Sequence, residues 1–262
     1  MFEFHTDLDR YFTMQYLTAR DYIIPFLKDK NINVTQKRVL ELGCAEAGVL
    51  KAFVEAGSFC MGIDLDATRV ENAKKLQADA VSSGKLKFST KNVYDIDVDK
   101  DLQGKFDIII LKDVIEHIPN QEKFIPFMKD FLIEGGVIFF GFPPWQMPFG
   151  GHQQILGNKY LSKLPWFHLL PNFIYGNLVE KFTNKESKDG MLEIKSTGIS
   201  IERFEKIIKN SGLSIIAKKS FLFNPIYKYK FGLEVRSVAG IFSKIPYFRN
   251  FYTTAVYYIV KN

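Results

Sequence analysis

The chain has 262 residues, of which 47% are hydrophobic and 24% charged, so it can bury a sizeable core and extended disorder is excluded. No apolar run reaches the roughly 18 to 20 residues of a membrane-spanning helix, and the first ten residues lack the basic and apolar blocks of a signal peptide. The net charge is +6 and is unevenly distributed, since residues 195–262 carry 12 basic and 3 acidic residues. The basic residues are scattered among apolar ones, which favours a solvated surface over a binding site for nucleic acid, an anionic substrate or a membrane.

Helices and strands alternate in the first half of the chain. Apolar residues recur at helical spacing in residues 7–30, and five short apolar runs are predicted as strands. The strands are predicted at 38–42, 59–63, 86–89, 106–111 and 137–141, and the helices between them at 48–56, 68–82 and 121–132. Thr68 and Glu71 have the spacing of a capping box at the start of the second of these helices. The alternation is typical of an α/β fold with a parallel sheet between two layers of helices.

The pattern changes after Phe142. Residues 142–198 contain five prolines, many aromatic residues and little periodicity, which indicates an inserted lid or substrate-binding segment. A helix at 201–210 and strands at 213–219 and 253–260 then permit a seven-stranded, mostly parallel sheet with an antiparallel last pair. We expect a single domain made of a helical cap (1–36), a cofactor-binding core (37–141), the lid (142–198) and a C-terminal helix and strands (199–262).

A glycine-bearing turn, VLELGCAEAG, follows the first strand and precedes a helix. Such a turn lets backbone amides approach a ligand, and Asp64 lies 21 residues after Gly43, where a carboxylate can bind ribose hydroxyls. The NAD fingerprint has nearly the same layout, so the turn alone also permits NAD. Ala45 replaces the glycine that approaches the pyrophosphate of NAD, which favours a cofactor without phosphate, such as S-adenosylmethionine (SAM).

Five motifs appear in order along residues 38–144: VLELGCAEAG, GIDLD, KNVYD, FDIIILKDVIEHIPN and GGVIFFGFPP. As a set they resemble class I SAM-dependent methyltransferases, especially the branch with a Glu-His pair after the fourth strand, to which small-molecule and quinone O-methyltransferases belong. The resemblance implies a Rossmann-like sheet with SAM at the carboxyl ends of its strands. By the same resemblance, the SAM site would be lined by Glu41, Gly43, Ala45, Asp64, Leu65, Asn92, Val93 and Lys112.

The resemblance also implies that the N-terminal helix covers the methionine end of SAM. Tyr11 and Arg20 would then belong to the cofactor site, with Arg20 pairing with the cofactor carboxylate; a surface arginine near a helix end is the alternative. The sequence departs mildly from the family pattern at three positions. Ala45 and Ala47 stand where glycine is common, and Asn92 stands where aspartate is common.

Catalysis at a hydroxyl needs a positioned acceptor and a base that removes its proton. Asp113, Glu116 and His117 lie within one helical turn of each other after the fourth strand, so their side chains can converge. Some relatives with a similar motif use a metal ion. We favour a structural role instead, in which Glu116 and His117 form a hydrogen-bonded pair that braces the loop, and we expect no metal. His152, directly after the fifth strand, is the first candidate for the base, with a surface-loop histidine as the alternative. His5 and His168 lack such a context and are expected to be structural or solvated.

Aromatic residues are frequent in the lid, where they could stack on a substrate or form the lid's own core. They are Trp145, Phe149, Tyr160, Trp166, Phe167, Phe173 and Tyr175.

The favoured function is SAM-dependent methylation of a small molecule at oxygen. The alternatives are methylation of an RNA end, a catalytically inactive binding protein and, least favoured, NAD-dependent oxidoreduction. The two cysteines, Cys44 and Cys60, have no metal-type spacing, which favours reduced thiols in a cytoplasmic protein.

Overall fold

The computed structural model of the chain describes residues 7–262, and its centre is one eight-stranded sheet. The strands are β1 (Arg38–Leu42), β2 (Phe59–Ile63), β3 (Leu86–Ser89), β4 (Phe106–Lys112), β5 (Leu132–Phe142), β6 (Ser214–Phe223), β7 (Arg236–Ser237) and β8 (Ala255–Lys261). They lie in the order β3-β2-β1-β4-β5-β8-β6-β7. The first five strands are parallel to one another, whereas β8 is antiparallel to both β5 and β6.

The predicted seven strands are present, and an eighth corrects the count. β6 continues to Phe223 instead of ending at residue 219, and the two-residue β7 pairs with Phe221 and Phe223 at the outer edge. Two residues carry no periodicity, so the sequence pattern could not indicate β7. Its short length is typical of edge strands, which offer little unpaired backbone to other chains.

β5 begins at Leu132, before the predicted start at residue 137. The pairing register with β4 shifts between Phe106 and Ile108, so the extra residues of β5 form an irregularity in the ladder. Gly135, with a φ of 73°, lies within it. The Gly135-Gly136 pair therefore marks a bulge inside the strand instead of the turn before it.

The α-helices are α1 (Leu8–Thr18), α2 (Ile24–Lys28), α3 (Gly48–Glu55), α4 (Ala67–Leu76), α5 (Ala78–Ser82), α6 (Val98–Leu102), α7 (Gln121–Phe127), α8 (Asn172–Phe182), α9 (Lys185–Thr197), α10 (Ile201–Asn210), α11 (Ile226–Phe231) and α12 (Gly240–Ser243). A π-helical turn, Ala19–Ile23, joins α1 to α2. Because Pro25 cannot donate to a preceding carbonyl, the wider turn keeps the helix continuous through it. Within residues 7–262, no helix is long and apolar enough to cross a membrane.

Asp66 caps the start of α4. Its Oδ1 accepts hydrogen bonds from the backbone amides of Thr68 and Arg69 at 2.9 and 3.2 Å. The predicted capping box of Thr68 and Glu71 is therefore wrong by two residues. Aspartate satisfies the same unpaired amides that a threonine hydroxyl would, and its charge suits the helix dipole.

Alternating residues of the sheet pack into two cores, one on each face. In β4, Ile108 and Ile110 join the core beneath α2 and α3, whereas Ile109 and Leu111 join the core beneath α7 and α10. All four are at most 1% exposed, as expected for a central parallel strand covered on both faces. The two cores fix the position of the sheet's carboxyl edge, from which the loops of the site extend.

The lid is more regular than its sequence indicates. It contains α8 and α9, and a small core of its own includes Phe167, Tyr175 and Val179. Of the predicted aromatic residues, Phe167 and Tyr175 are buried, Trp145 and Phe149 are half-buried, and the remaining three are exposed. The rings thus divide between lid core and surface.

Candidate functional site

The loop from β1 to α3 is a tight turn that glycine must begin. Gly43 has a φ of 65°, and a β-carbon built on it would lie 2.6 Å from Cγ2 of Val114. The Gly43 amide donates to the carbonyl oxygen of Ile63 at 2.8 Å, which ties the ends of β1 and β2 together. The turn therefore presents backbone at the carboxyl edge of the sheet, where ligands bind in folds of this type.

α1 crosses directly over this turn. A β-carbon on Gly48, the first residue of α3, would lie 2.4 Å from the carbonyl oxygen of Phe12, so this close approach requires glycine. Between α1 and the turn lies a small cavity. The cavity is lined by Tyr11, Phe12, Gln15, Glu41, residues 43–49, Arg69, Lys112 and Asp113.

Three buried acceptor oxygens on residues of this cavity have no hydrogen-bond partner in the structure: Oε1 of Gln15, Oε2 of Glu41 and Oε2 of Glu46. Burial raises the pKa of Glu41 well above its usual range, and the ammonium of Lys112 opposes this shift. Arg69 also lines the cavity, with its Nε 3.5 Å from Oε1 of Glu46. Since unpaired buried acceptors are costly, the cavity suits a ligand with donor groups or positive charge, beside an arginine able to bind a carboxylate.

Asp64 lies at the end of β2 and braces the glycine turn. Its Oδ2 accepts from the Ala45 amide at 2.7 Å, and its Oδ1 accepts from the Asp66 amide at 2.9 Å. The side chain is half-buried, while the next residue, Leu65, is 68% exposed. The predicted ribose-binding carboxylate therefore stands beside the turn and already fixes its shape.

Asn92 and Val93 follow β3 at the same edge of the sheet. Asn92 is exposed, and its Oδ1 accepts from the Tyr94 amide at 3.1 Å; Val93 packs against the core. Together with Asp64 and Leu65, these residues lie on neighbouring strand ends, outside the lining of the cavity. Their predicted role at the adenosine end of the cofactor stays a prediction.

The two candidates on the N-terminal helix have different positions. Tyr11 lines the cavity, and its hydroxyl accepts a hydrogen bond from Nε2 of Gln15 at 2.8 Å. Arg20 is exposed, pairs with Asp21 at 2.7 Å and lies over the ring of Tyr16. The structure thus brings Tyr11 to the cavity but leaves Arg20 on the surface. Arg69, which the sequence analysis missed, is the arginine of the lining.

Lys112 and Asp113 follow one another at the end of β4. The buried Lys112 ammonium donates to Oδ2 of Asp113. Burial lowers the pKa of Lys112, but the charge of Asp113 and its hydrogen bond, together with the charges of Tyr11 and Glu41, outweigh burial and raise the pKa. Asp113 has a φ of 55°, and its amide donates to the Gly141 carbonyl at 2.7 Å, which holds this loop against β5.

Glu116 is buried behind Asp113. Burial, together with the charge of Asp113, raises the pKa of Glu116 well above its usual range, and its Oε2 has no partner in the structure. The Thr197 hydroxyl donates to the Glu116 carbonyl, which links this loop to the end of the lid. Among the described residues, no group of three or more His, Cys, Asp or Glu side chains could hold a metal ion.

His117 and His152 come together where the β4 loop meets the lid. Their ring centroids are 5.3 Å apart in an edge-to-face arrangement, and both side chains are half-buried. Burial lowers the pKa of His117, and the charges of Asp113 and Glu193 oppose this shift. The structure therefore joins the two predicted catalytic histidines, with the imidazole of His117 favoured in its neutral form.

His168 is fully buried in the lid, as expected for a structural histidine. Its Nε2 lies 2.7 Å from the carbonyl oxygen of Trp145, and the Lys195 ammonium donates to the His168 carbonyl at 2.5 Å. Burial lowers the pKa of His168 to about 4. His5, the other histidine set aside in the sequence analysis, lies outside the described residues.

α11 supplies residues near Asp113 that sequence reasoning missed. Burial raises the pKa of Tyr227 to about 12, and the charge of Asp113 adds to the shift. Lys230 is half-buried on the same helix; burial lowers its pKa, and the charge of Asp113 opposes the change. The sequence did contain a signal for these residues, since the run IYKYKF alternates aromatic and basic side chains. The run lies more than 100 residues after β4, so the sequence pattern could not indicate that it approaches Asp113.

A family model described as a methyltransferase domain matches residues 13–167, more than half of the chain. This span includes the glycine turn, the β4 loop, His152 and all of the cavity lining except Tyr11 and Phe12.

Curated relatives match over a little less than half of the chain. A ubiquinone biosynthesis O-methyltransferase of Pasteurella multocida is 25% identical over 125 residues, which cover 45% of this chain and 50% of that protein. The enzyme of the same name from Glaesserella parasuis is 28% identical over 120 residues, or 44% and 49% of the two chains. The chain thus spans about half the length of the curated relatives it matches.

Solved structures resemble the whole fold. A magnesium protoporphyrin IX methyltransferase of Synechocystis, crystallised with SAM, superposes with a TM-score of 0.54 at 13% identity, covering 99% of this chain and 93% of that one. A SAM-dependent methyltransferase of Clostridium acetobutylicum gives a TM-score of 0.55 at 15% identity, with 98% and 93% coverage. At such identities the likeness concerns the fold alone.

Proposed function

The chain belongs to the methyltransferase-domain family, and from this premise we propose that it transfers a methyl group from SAM to an oxygen atom of a small-molecule acceptor. The carboxyl edge of the sheet carries the required parts: a glycine turn, a cavity beneath α1 and a histidine pair beside it. The name of the curated relatives, O-methyltransferase, supports oxygen as the accepting atom. The two free, buried cysteines are compatible with the proposed cytoplasmic location.

The unpaired oxygens of the cavity carry the cofactor proposal. Gln15, Glu41 and Glu46 offer acceptors for the ammonium of an amino acid, and Arg69 offers a partner for its carboxylate. Asp64 holds the turn in place and would bind the ribose hydroxyls. These residues fit SAM, which supplies an electrophilic methyl group on a positively charged sulfur when it is bound.

The histidine pair carries the proposal for the acceptor side. His152 would accept the proton of the substrate hydroxyl, and the neighbouring His117 would orient its ring. The low pKa of His117 keeps that imidazole uncharged near neutral pH, so it does not repel a proton arriving on His152. Asp113 and Glu116 shape the loop between this pair and the cavity.

Calorimetric binding of S-adenosylhomocysteine, the demethylated product, tests the cofactor assignment. Wild-type protein should bind it, and Asp64→Ala should weaken binding about tenfold or more, because the turn loses its brace and the ribose its acceptor. Asp130→Ala is the matched control, since Asp130 is an exposed aspartate just before β5, at the opposite edge of the sheet. NAD serves as the control ligand. Binding of NAD but not of S-adenosylhomocysteine would overturn the proposal in favour of an oxidoreductase.

A screen of small hydroxyl compounds with labelled SAM then tests the base. With an accepted substrate, His152→Ala should lower turnover about 10²- to 10⁴-fold while S-adenosylhomocysteine binding stays unchanged. Lys159→Ala, a change at an exposed residue of the lid, is the control. Unchanged turnover in His152→Ala would remove His152 from the reaction.

A further inference from the structure

The segment before β8 exposes apolar side chains to solvent. Four neighbouring residues are more than half exposed, and Ile245 is 40% exposed beside them. The four are Ile241 (74%), Phe242 (53%), Tyr247 (72%) and Phe248 (59%). Residues 235–262 contain no aspartate or glutamate; Arg236 precedes the exposed side chains and Lys244 lies among them. We call residues 236–248 the basic apolar segment.

A partly buried network holds this segment in a strained conformation. Tyr247 has φ and ψ of 61° and −47°, which is a genuine outlier for a bulky side chain. Oε1 of Glu202, in α10, accepts from the Tyr247 amide at 2.8 Å and from Nε of Arg249 at 2.9 Å. Its Oε2 accepts from Nδ2 of Asn250 at 2.6 Å. Backbone strain that surrounding contacts maintain is found mainly where a segment has a function, and here it turns two aromatic rings outward.

The lid carries a second surface of the same kind. Tyr160 and Phe173 are 82% and 72% exposed, and Leu164 and Trp166 are 48% and 44% exposed. Residues 142–179 contain no acidic residue, and Lys159 and Lys163 lie among the exposed side chains. Large apolar residues mixed with lysine, in stretches of sequence that contain no aspartate or glutamate, thus recur in two separate parts of the chain.

Both surfaces extend from the same edge of the sheet. The lid leaves β5 after Phe142, which pairs with Val256 at the start of β8. The basic apolar segment connects the end of β6 to that same start, where Phe221 pairs with Ala255. The glycine turn and the histidine pair also lie at this edge. One end of the molecule therefore combines the candidate site with exposed aromatic, aliphatic and basic side chains.

We propose that this edge docks on an anionic lipid bilayer, with the basic apolar segment and the exposed lid side chains inserted at the headgroup boundary. Rings and aliphatic side chains partition into that region, and lysine and arginine bind the acidic headgroups. A second copy of the chain fits this face poorly, because a symmetric pair would oppose basic residues without acidic partners. The inference goes beyond the proposed function and does not depend on it.

Vesicle co-sedimentation of the full chain tests this inference. Vesicles of phosphatidylcholine with phosphatidylglycerol should bind the protein, and pure phosphatidylcholine vesicles should bind it much more weakly. Binding to the anionic vesicles should fall with added salt, because exposed charges are screened.

Phe242→Ser with Phe248→Ser should weaken binding to anionic vesicles about tenfold or more, because two rings can no longer be buried. Phe59→Ser with Ile133→Ser is the matched control, since these side chains are 52% and 39% exposed at the starts of β2 and β5, on the opposite edge. Near-ultraviolet circular dichroism and S-adenosylhomocysteine calorimetry on both double variants verify the fold and keep this test separate from that of the proposed function.

Three results would overturn the inference: wild-type protein that ignores anionic vesicles, a double phenylalanine variant that binds as tightly as wild type, or a control variant that loses binding equally. Light scattering without lipid adds a fourth. A wild-type dimer that Phe242→Ser with Phe248→Ser converts to a monomer, together with absent vesicle binding, would assign the surface to self-association.

Discussion

Ala45 and Ala47 hold backbone angles that favour glycine, with φ of 49° and 60°. For L-residues this left-handed region costs roughly 1–2 kcal/mol, so the loop that shapes the cavity carries strain. Asp64 compensates at one of the two positions by accepting a hydrogen bond from the Ala45 amide. Alanine in place of glycine at these positions therefore lowers the stability of the protein but leaves the path of the turn unchanged.

Ala45→Gly should stabilise the protein by about 0.5 to 1 kcal/mol, because relief of the strain exceeds the entropy that glycine gains in the unfolded chain. Ala47→Gly should be close to neutral, since it also removes a fully buried methyl group. Urea unfolding measures both. Ala80→Gly, at a half-buried position in α5 with ordinary helical geometry, is the control and should cost about 1 kcal/mol. A destabilised Ala45→Gly would show that packing of the methyl group outweighs the backbone strain.

At the scale of elements, α10 and the chain before β8 are joined by Glu202. Its carboxylate accepts hydrogen bonds from the Tyr247 backbone amide, the Arg249 guanidinium and the Asn250 side-chain amide. Arg249 also forms an ion pair with Glu205 at 2.9 Å. Although burial opposes it, these hydrogen bonds lower the pKa of Glu202. The network anchors a segment whose large apolar side chains are mostly exposed.

Glu202→Ala should lower the free energy of unfolding by about 2 to 4 kcal/mol, since it leaves buried donors without their acceptor. Glu202→Gln keeps one acceptor oxygen and should recover part of the loss. Glu134→Ala, an exposed glutamate in the bulge of β5, should change stability by no more than about 0.5 kcal/mol. Equal unfolding curves for Glu202→Ala and Glu134→Ala would contradict the anchoring role.

The elements differ in how well the sequence predicts them. β1, β2, β3 and α10 have the predicted bounds, because continuous apolar runs and strong amphipathic spacing specify them locally. α8 and α9 were missed because Gly176 and Gly190 interrupt them and aromatic residues lie on several faces. Their helical form comes from packing around Phe167 and Tyr175, which no local pattern reports.

The candidate site divides in the same way. The motif series predicted Glu41, Gly43, Ala45 and Lys112, which line the cavity. Arg69 and the residues of α11 were missed, and Arg20 was expected near the cofactor but lies on the surface. Residues that reach the site from another helix or from a distant segment depend on tertiary packing, which the local sequence pattern does not report.

At the scale of the whole molecule, buried ionisable groups make stability depend on pH. The folded protein keeps His168 neutral with a pKa of about 4, whereas an unfolded histidine titrates near 6.5. Between about pH 6.5 and 4 the unfolded state therefore binds a proton at this histidine that the folded state does not bind, and the free energy of unfolding falls as the pH drops through this range. Glu41 and Glu116, with raised pKa values, act in the opposite direction: their contribution is complete below the unfolded value and is lost as pH rises through the folded one.

Lowering the pH from 7.5 to 5 should cost wild-type protein about 2 kcal/mol through His168 alone. His168→Gln cannot take up this proton, so its free energy of unfolding should fall less over the same range. Urea unfolding at both pH values for both proteins isolates the contribution, because the carboxyl groups are common to both. Identical losses in the two proteins would mean that His168 is protonated in the folded state.

The place of β8 has a consequence for how the protein is made. Residues 255–261 pair with β5 on one side and with β6 on the other, so the strand that joins the two halves of the sheet is synthesised after all the others. Until those residues emerge from the ribosome, β5 and β6 each present an open hydrogen-bonding edge. The parallel half of the sheet can form before β8 is made. Completion of the sheet therefore waits for the last of the eight strands, and a nascent chain that stalls before β8 is exposed to wrong strand pairing.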